Sequence, residues 1–261
     1  MKITSLTILQ RVTFALFLRE MKTRFGESKI GYLWVVFEPL LHIVVMLIIF
    51  DFMSNNMMPQ VPFTLFLVTG MIPFFLFRTI ISSLMNSAEA NKALFAYKPV
   101  KPFDTYISRT LLEVLIYSTI FVIILIGLGW LFGFDIMIAH PLELLMNTGL
   151  IIVMAFGIGI GCSVLAYKLP LIKLFVKVFL TVLYFISAIM YPLWVLPSKY
   201  MEWLLYNPLL HSIELFRESF FSYYPRIDGI SMTFPIMVTI TTLFLSLWFY
   251  QKYKFQLAAS S

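Results

Sequence analysis

The sequence predicts an all-α integral membrane protein. It has six transmembrane helices, an N-terminal amphipathic interface helix and two short re-entrant helices on the non-cytoplasmic side. Three observations carry that prediction. The chain is 61% hydrophobic and only 12% charged, with a mean hydropathy of +0.92, a balance that belongs to membrane domains. Six apolar runs recur near 33–52, 62–85, 106–133, 142–167, 171–192 and 230–250, each ~20 residues or more and long enough to cross with some tilt. Between the last two lies the polar, aromatic and proline-broken stretch 187–228. Irregular backbone beside membrane spans is tolerated only where it is buried in protein or lines a wet cavity.

The chain reads as one membrane domain over 1–261, with no linker and no internal repeat. Its single cysteine, Cys162, sits in an apolar run, which excludes a disulfide within the chain and a cysteine-based metal site. The opening residues lack a continuous apolar h-region, so no cleaved signal peptide is expected. The net charge of +6 is no nucleic-acid signal, because the basic residues cluster at the edges of the apolar runs.

Residues 4–25 come first. Leu6, Leu9, Val12, Leu16, Phe17 and Met21 recur at helical spacing, with Arg11, Arg19, Lys22 and Arg24 on the other side. That pattern predicts a helix lying in the membrane interface, its basic face toward headgroups. Basic residues also fill the second and fourth connections and the tail, whereas 53–61 and 134–141 contain no Lys or Arg. The positive-inside rule then places both termini in the cytoplasm and 193–229 outside. In the first run, Glu38 and Pro39 put a carboxylate and a kink at a depth where a charge must face protein or water. Arg78, at similar depth in the second run, either pairs with Glu38 or snorkels to the interface.

The connection 86–104 predicts a short helix over 87–98, capped by Asn86 or Ser87, with Glu89 in its first turn and Lys98-Pro99 ending it. Leu94 and Phe95 on that helix form an apolar surface that either meets a partner or lies flat on the membrane. Gly157, Gly159 and Gly161 predict close helix packing. Tyr184 and Tyr191 stand two turns apart in the fifth run, on broadly one face, either as an interface belt or as platforms for a sugar chain. Two short helices are expected over 196–206 and 208–221, together the re-entrant segment 196–221. Within it Glu214, Arg217 and Glu218 have ion-pair spacing, one turn after His211.

No phosphate-binding loop, metal-ligand cluster, nucleophile elbow or Asp-rich box occurs. Chemistry, if any, is expected from a partner. Four segments in order then point to a family: Leu18-Arg19-Glu20-Met21-Lys22-Thr23-Arg24-Phe25 with Ser28, Leu33-Trp34 with Glu38-Pro39, Met190-Tyr191-Pro192 through Leu196-Pro197, and Asn207-Pro208-Leu209 with His211, Glu214 and Arg217. With them the chain resembles, over nearly its full length, the membrane subunit of type-2 ABC exporters in the capsular-polysaccharide branch. The resemblance implies a homodimer with two copies of a separate ATPase, which would bind ATP and Mg, leaving this chain without a cofactor. It also implies a multi-pass protein of the Gram-negative inner membrane, with re-entrant helices on the periplasmic side. Lipid-linked polysaccharide, periplasmic and outer-membrane export proteins and membrane lipids are the implied partners.

On that reading Glu89, Lys92, Leu94, Phe95 and Tyr97 couple to the ATPase, and Arg19, Lys22 and Arg24 receive the lipid phosphate. Trp34, Glu38, Arg78, Tyr184, Tyr191 and Trp194 line the substrate path, and His211, Glu214, Arg217 and Glu218 close its outer end. O-antigen and teichoic-acid permeases share the architecture. A membrane-embedded lipid or sugar transferase is the rival from another class, and its expected metal-holding acid pair is not formed by Glu38, Asp51, Asp104 and Glu113.

Overall fold

A computed structural model describes residues 5–25, 37, 39–49, 61–96 and 100–258. Among these every regular element is helical. In order they are α1 (Ser5–Phe25), α2 (Pro39–Ile49), α3 (Phe63–Met85), α4 (Ser87–Ala90), α5 (Pro102–Phe132), α6 (Pro141–Lys168), α7 (Ile172–Ile186), α8 (Ser198–Leu204), α9 (Pro208–Phe220) and α10 (Thr233–Ala258). Single 3₁₀ turns occupy Lys92–Ala96 and Leu193–Val195.

The core forms around α3, whose residues from Leu65 to Phe77 are buried without interruption. A helix apolar on all sides belongs in the middle of a bundle, and α3 packs against α5, α6, α7 and α9. The glycines of α6 make it a thin plate between α3 and α10. A Cβ on Gly157 would meet the Leu243 backbone at 3.2 Å and one on Gly161 the Ser246 Oγ at 2.8 Å, while one on Gly159 would meet Leu84 at 3.0 Å. Small residues four apart thus face α10 and the one between them faces α3, which lets the backbones approach.

Local chemistry sets the helix ends. Pro102 opens α5 at a position whose missing N–H costs nothing, and the Lys101 N–H donates to the Asp104 carboxylate at 2.9 Å. The helix stops at Gly133, whose left-handed φ of 69° suits glycine. At one end of the bundle α6 is tied to α9, through Ala139 and His140 N–H groups donating to the Phe220 and Ser219 carbonyls at 3.1 and 2.9 Å. At the other end lie α4, joined to α5 by a Ser87–Thr105 hydroxyl bond of 2.8 Å, and α1. The last turns of α10 reach that same end, where Tyr250 meets Tyr106 and the Lys168 ammonium sits over the Tyr253 ring.

Two expectations need correction. Four described helices, α3, α5, α6 and α10 (through Leu257), are long and apolar enough to cross a membrane. The fifth run does not make a helix over 171–192: α7 covers 15 residues and stops at Ile186. The chain turns there on Ala188, held at a φ of +52°, a conformation that non-glycine residues adopt only where surrounding contacts impose it. The 87–98 segment is not one capped helix either. Over its described residues, 87–96, it is a four-residue α-turn followed, after Asn91, by the 3₁₀ turn. Asn86 donates back to the Ser82 carbonyl and Ser87 bonds Thr105, so neither side chain caps α4. Phe95 faces inward at 8% exposure, which removes it from the surface expected to meet a partner.

Candidate functional site

At the α9 end the polar chemistry of the molecule converges on Arg217, which is fully buried. Asn207 begins the arrangement: it accepts the Leu209 N–H at 3.0 Å, capping α9, and donates to the Ser187 Oγ at 2.8 Å, so the cap also binds the end of α7. Two turns along α9, Arg217 Nη1 donates to Glu214 Oε1 at 2.6 Å and to the Ala188 carbonyl at 2.8 Å. Nη2 donates to the carbonyls of Ile189 at 2.9 Å and Phe66 at 3.4 Å, and the guanidinium lies 3.6 Å above the Phe66 ring. The planar fork satisfies the carbonyls that the break in α7 frees. Gly70 on α3 makes room for it, since a Cβ there would run into the guanidinium. The Tyr224 hydroxyl donates to the other Glu214 oxygen at 2.7 Å. Burial and the Glu214 charge hold that phenol well above its ordinary pKa.

The fourth member of the expected outer-end set behaves differently. Glu218 pairs with Arg226 at 3.0 Å on the surface and takes no part in the buried pair. Glu218, next in sequence to Arg217, points to another side of α9, whereas Glu214, three residues before it, lies on the face turned into the bundle. His211, also buried, bridges the Leu205 carbonyl at 2.8 Å and the Ser231 N–H at 3.1 Å. Glu214 and Arg217 do not solubilise a loop. They lock α9 to α3 and to the turn after α7.

The other end is open. A cavity of about 310 Å³ lies among Arg24, Pro39, His42, Arg78, Ser82 and Tyr117, and a second of about 270 Å³ adjoins it through Arg78 and Ser82, reaching Asn86, Lys173 and Lys177. Phe75 and Tyr117 supply the aromatic lining of the first cavity. Tyr184 is buried against Phe74, stacks on Phe75 and hydrogen-bonds His42 at 2.9 Å. Tyr191 lies beyond the end of α7 with its hydroxyl on the Phe185 carbonyl, so the two tyrosines do not share a helix face as expected. Trp194 packs on Phe66 and Tyr224 beside the Arg217 lock. Trp34, Glu38 and Tyr97 lie outside the described residues, and with Glu38 the expected Glu38–Arg78 pair.

Of Arg19, Lys22 and Arg24, the α1 residues expected to receive a lipid phosphate, two are held by protein groups. Arg19 donates to Asn91 Oδ1 at 2.7 Å and Arg24 pairs with the buried carboxylate of Glu113, while Lys22 is exposed. Glu20 lies 3.2 Å from Arg109, completing a polar seam between α1 and α5. This seam was missed in the sequence; the available signal was Glu113, a carboxylate within an apolar run that needs a partner. Beside it, α4 and the α6–α7 turn enclose a groove of about 260 Å³ lined by Ala88, Glu89, Lys92, Tyr167 and Lys173. Glu89 pairs there with Lys173, whose ammonium holds the Glu89 carboxyl below its ordinary pKa. Leu94, in the following 3₁₀ turn, is half-buried. Among the described residues no group of three metal-ligating side chains occurs.

The chain is 41% identical over 243 residues to the polysialic acid transport protein KpsM of Escherichia coli, covering 93% of each chain. It is 28% identical over 250 residues to the capsule polysaccharide export inner-membrane protein CtrC of Neisseria meningitidis serogroup B, covering 94% of this chain and 90% of the relative. It is 27% identical over 247 residues to the O-antigen export system permease protein RfbA of Klebsiella pneumoniae, covering 91% and 90%. The profile of ABC-2 type transporters matches residues 11–221, and the chain belongs to that family.

Proposed function

We propose that this chain is the membrane subunit of an ATP-driven exporter that moves lipid-linked capsular polysaccharide across the bacterial inner membrane. The observation that carries the reading is the 41% identity to the polysialic acid transport protein along 93% of both chains. Architecture supports it: the bundle keeps one polar, locked end and one wet, basic end. Two copies pair about a two-fold axis, since closed symmetry is the usual solution for identical subunits. Each copy contributes six spans, with α2 and α7 completing the four long helices. The α8–α9 pair dips into the membrane from the periplasmic side, and α1 lies along the cytoplasmic face with both termini there. A separate ATPase binds ATP and Mg and docks on the groove around Glu89, Lys92 and Leu94; this chain transmits the motion and performs no covalent chemistry. Polymer passes aromatic walls that include Tyr184, Tyr191 and Trp194, beneath the Arg217 lock.

Deletion of the gene followed by locating the polymer tests the reading. Full-length lipid-linked polysaccharide trapped in the cytoplasm is expected; unchanged surface polymer overturns the cargo assignment. For the ATPase interface, Leu94→Asp is expected to lose the co-purifying ATPase while the permease keeps its thermal midpoint. Full retention of the ATPase would place the docking surface elsewhere.

A further inference from the structure

The two adjoining cavities at the α1 end have an unbalanced charge. Arg24 is matched by Glu113 and Lys173 by Glu89. Arg78 and Lys177 are both exposed, both line the cavities, and neither is in an ion pair among the described residues. No carboxylate is among the described residues that line either cavity. Arg78 and Ser82 form the shared wall, one turn apart on α3, with Lys177 approaching from α7 and Tyr117 from α5. Seven residues separate Arg78 from the last residue of α3, roughly 10 Å at helical rise, which sets it near the boundary between hydrocarbon and headgroups.

We propose that Arg78, Ser82 and Lys177 form a binding site for a phosphate group. The donors come from two helices, Arg78 and Ser82 on α3 and Lys177 on α7, all three lining the second cavity, so they reach a ligand from two sides; the Tyr117 hydroxyl, on the first cavity, is bonded to Thr79. A tetrahedral phosphate with three or four oxygens can use them together, whereas a planar carboxylate is served by the guanidinium fork alone. The second cavity, which all three residues line, is about 270 Å³, just below the ~300–1,000 Å³ range of small-ligand sites, room for a phosphate head and little more. The site differs from the one expected at Arg19, Lys22 and Arg24, two of which are already held by Asn91 and Glu113. It rests on the export reading only for its natural ligand, which is either the phosphate of the lipid-linked cargo or that of an anionic membrane phospholipid, whose headgroup carries no cation to neutralise it.

The test is calorimetric titration of the purified transporter complex, in neutral detergent, with dihexanoyl phosphatidic acid and with dihexanoyl phosphatidylcholine. Wild type and Lys199→Gln, changed at the opposite end, are expected to bind the first and not the second. Arg78→Gln is expected to weaken binding about tenfold, the scale of one charge-assisted hydrogen bond. Arg78→Lys should fall between, and Ser82→Asp, which places a carboxylate against the guanidinium, should abolish binding. Competition by inorganic phosphate would show that the phosphate alone is recognised; its absence would show that the lipid tether is part of the ligand. Undiminished binding by Arg78→Gln and Ser82→Asp, or equal binding of phosphatidylcholine, overturns the site. Arg78 is exposed, so an unchanged thermal midpoint is expected for its variants, and Ser82→Asp gives an independent reading. Binding is read on purified protein, so failure of export in the host would break the proposed function without touching this site.

Discussion

The two ends of α3 handle positive charge in opposite ways. Near its start the Arg217 guanidinium is sealed against Phe66 and Gly70, and its two terminal nitrogens meet a carboxylate and three carbonyls. Near its finish Arg78 faces two connected cavities with a lysine and several hydroxyls for company. A cation whose donors are already used by the fold holds structure together and has little left for a ligand. A cation left facing a cavity keeps its donors for whatever enters. Lock and receptor are therefore built from the same residue type, and burial with pre-placed acceptors separates them.

Removing the lock gives the largest effect expected. Arg217→Met leaves Glu214 buried without its cation, and breaking one partner of a buried pair costs about 3–5 kcal/mol; loss of the monodisperse peak in size-exclusion chromatography would register it. The double change Glu214→Leu with Arg217→Met should recover part of that yield, because apolar replacement of both partners relieves the stranded charge. Gly70→Ala presses a methyl into the guanidinium at a cost of about 1–3 kcal/mol, measured as a lower thermal midpoint. Asn207→Ala loses the α9 cap and the tie to Ser187, about 1 kcal/mol on the same assay. At the opposite end Glu89→Gln should leave the midpoint unchanged within about 1 °C, since an exposed pair contributes little. The Glu89 carboxyl is held below its ordinary range, so its pairing with Lys173 is present at neutral pH and lost as pH falls through that depressed value. A midpoint drop of several degrees in Glu89→Gln would erase the contrast between the two ends.

The long helices were legible because their signal is local. Length and hydropathy place α3, α5 and α6 within a few residues of their bounds, whereas α10 runs eight residues past the apolar stretch 230–250, to Ala258. The break after Ile186 was not, because nothing in Ser187-Ala188-Ile189 stops a helix by itself. The acceptors freed there are satisfied by Arg217, about thirty positions later, and by the Asn207 side chain on Ser187 and Ile186. The same non-local bonding explains the charged trio on α9. Spacing favoured Glu214, about one turn before Arg217, over the adjacent Glu218; what it did not show is that carbonyls of a different element bury that pair, leaving Glu218 to Arg226 on the surface. Phe95 misled in the same manner, since an apolar residue in a short amphipathic turn points outward or inward according to what packs behind it.

The shortness of α7 has a consequence for the bilayer itself. Fifteen residues rise roughly 22 Å, whereas α5 with 31 rises about 46 Å, so neighbouring walls of the bundle differ about twofold in height. On the proposed six-span reading, the lipid around α7 thins or the α8–α9 pair fills the missing depth, while α5 leans. Acyl-chain length is then a variable that acts unequally on the two walls, and a membrane a few carbons thinner or thicker shifts the balance between them.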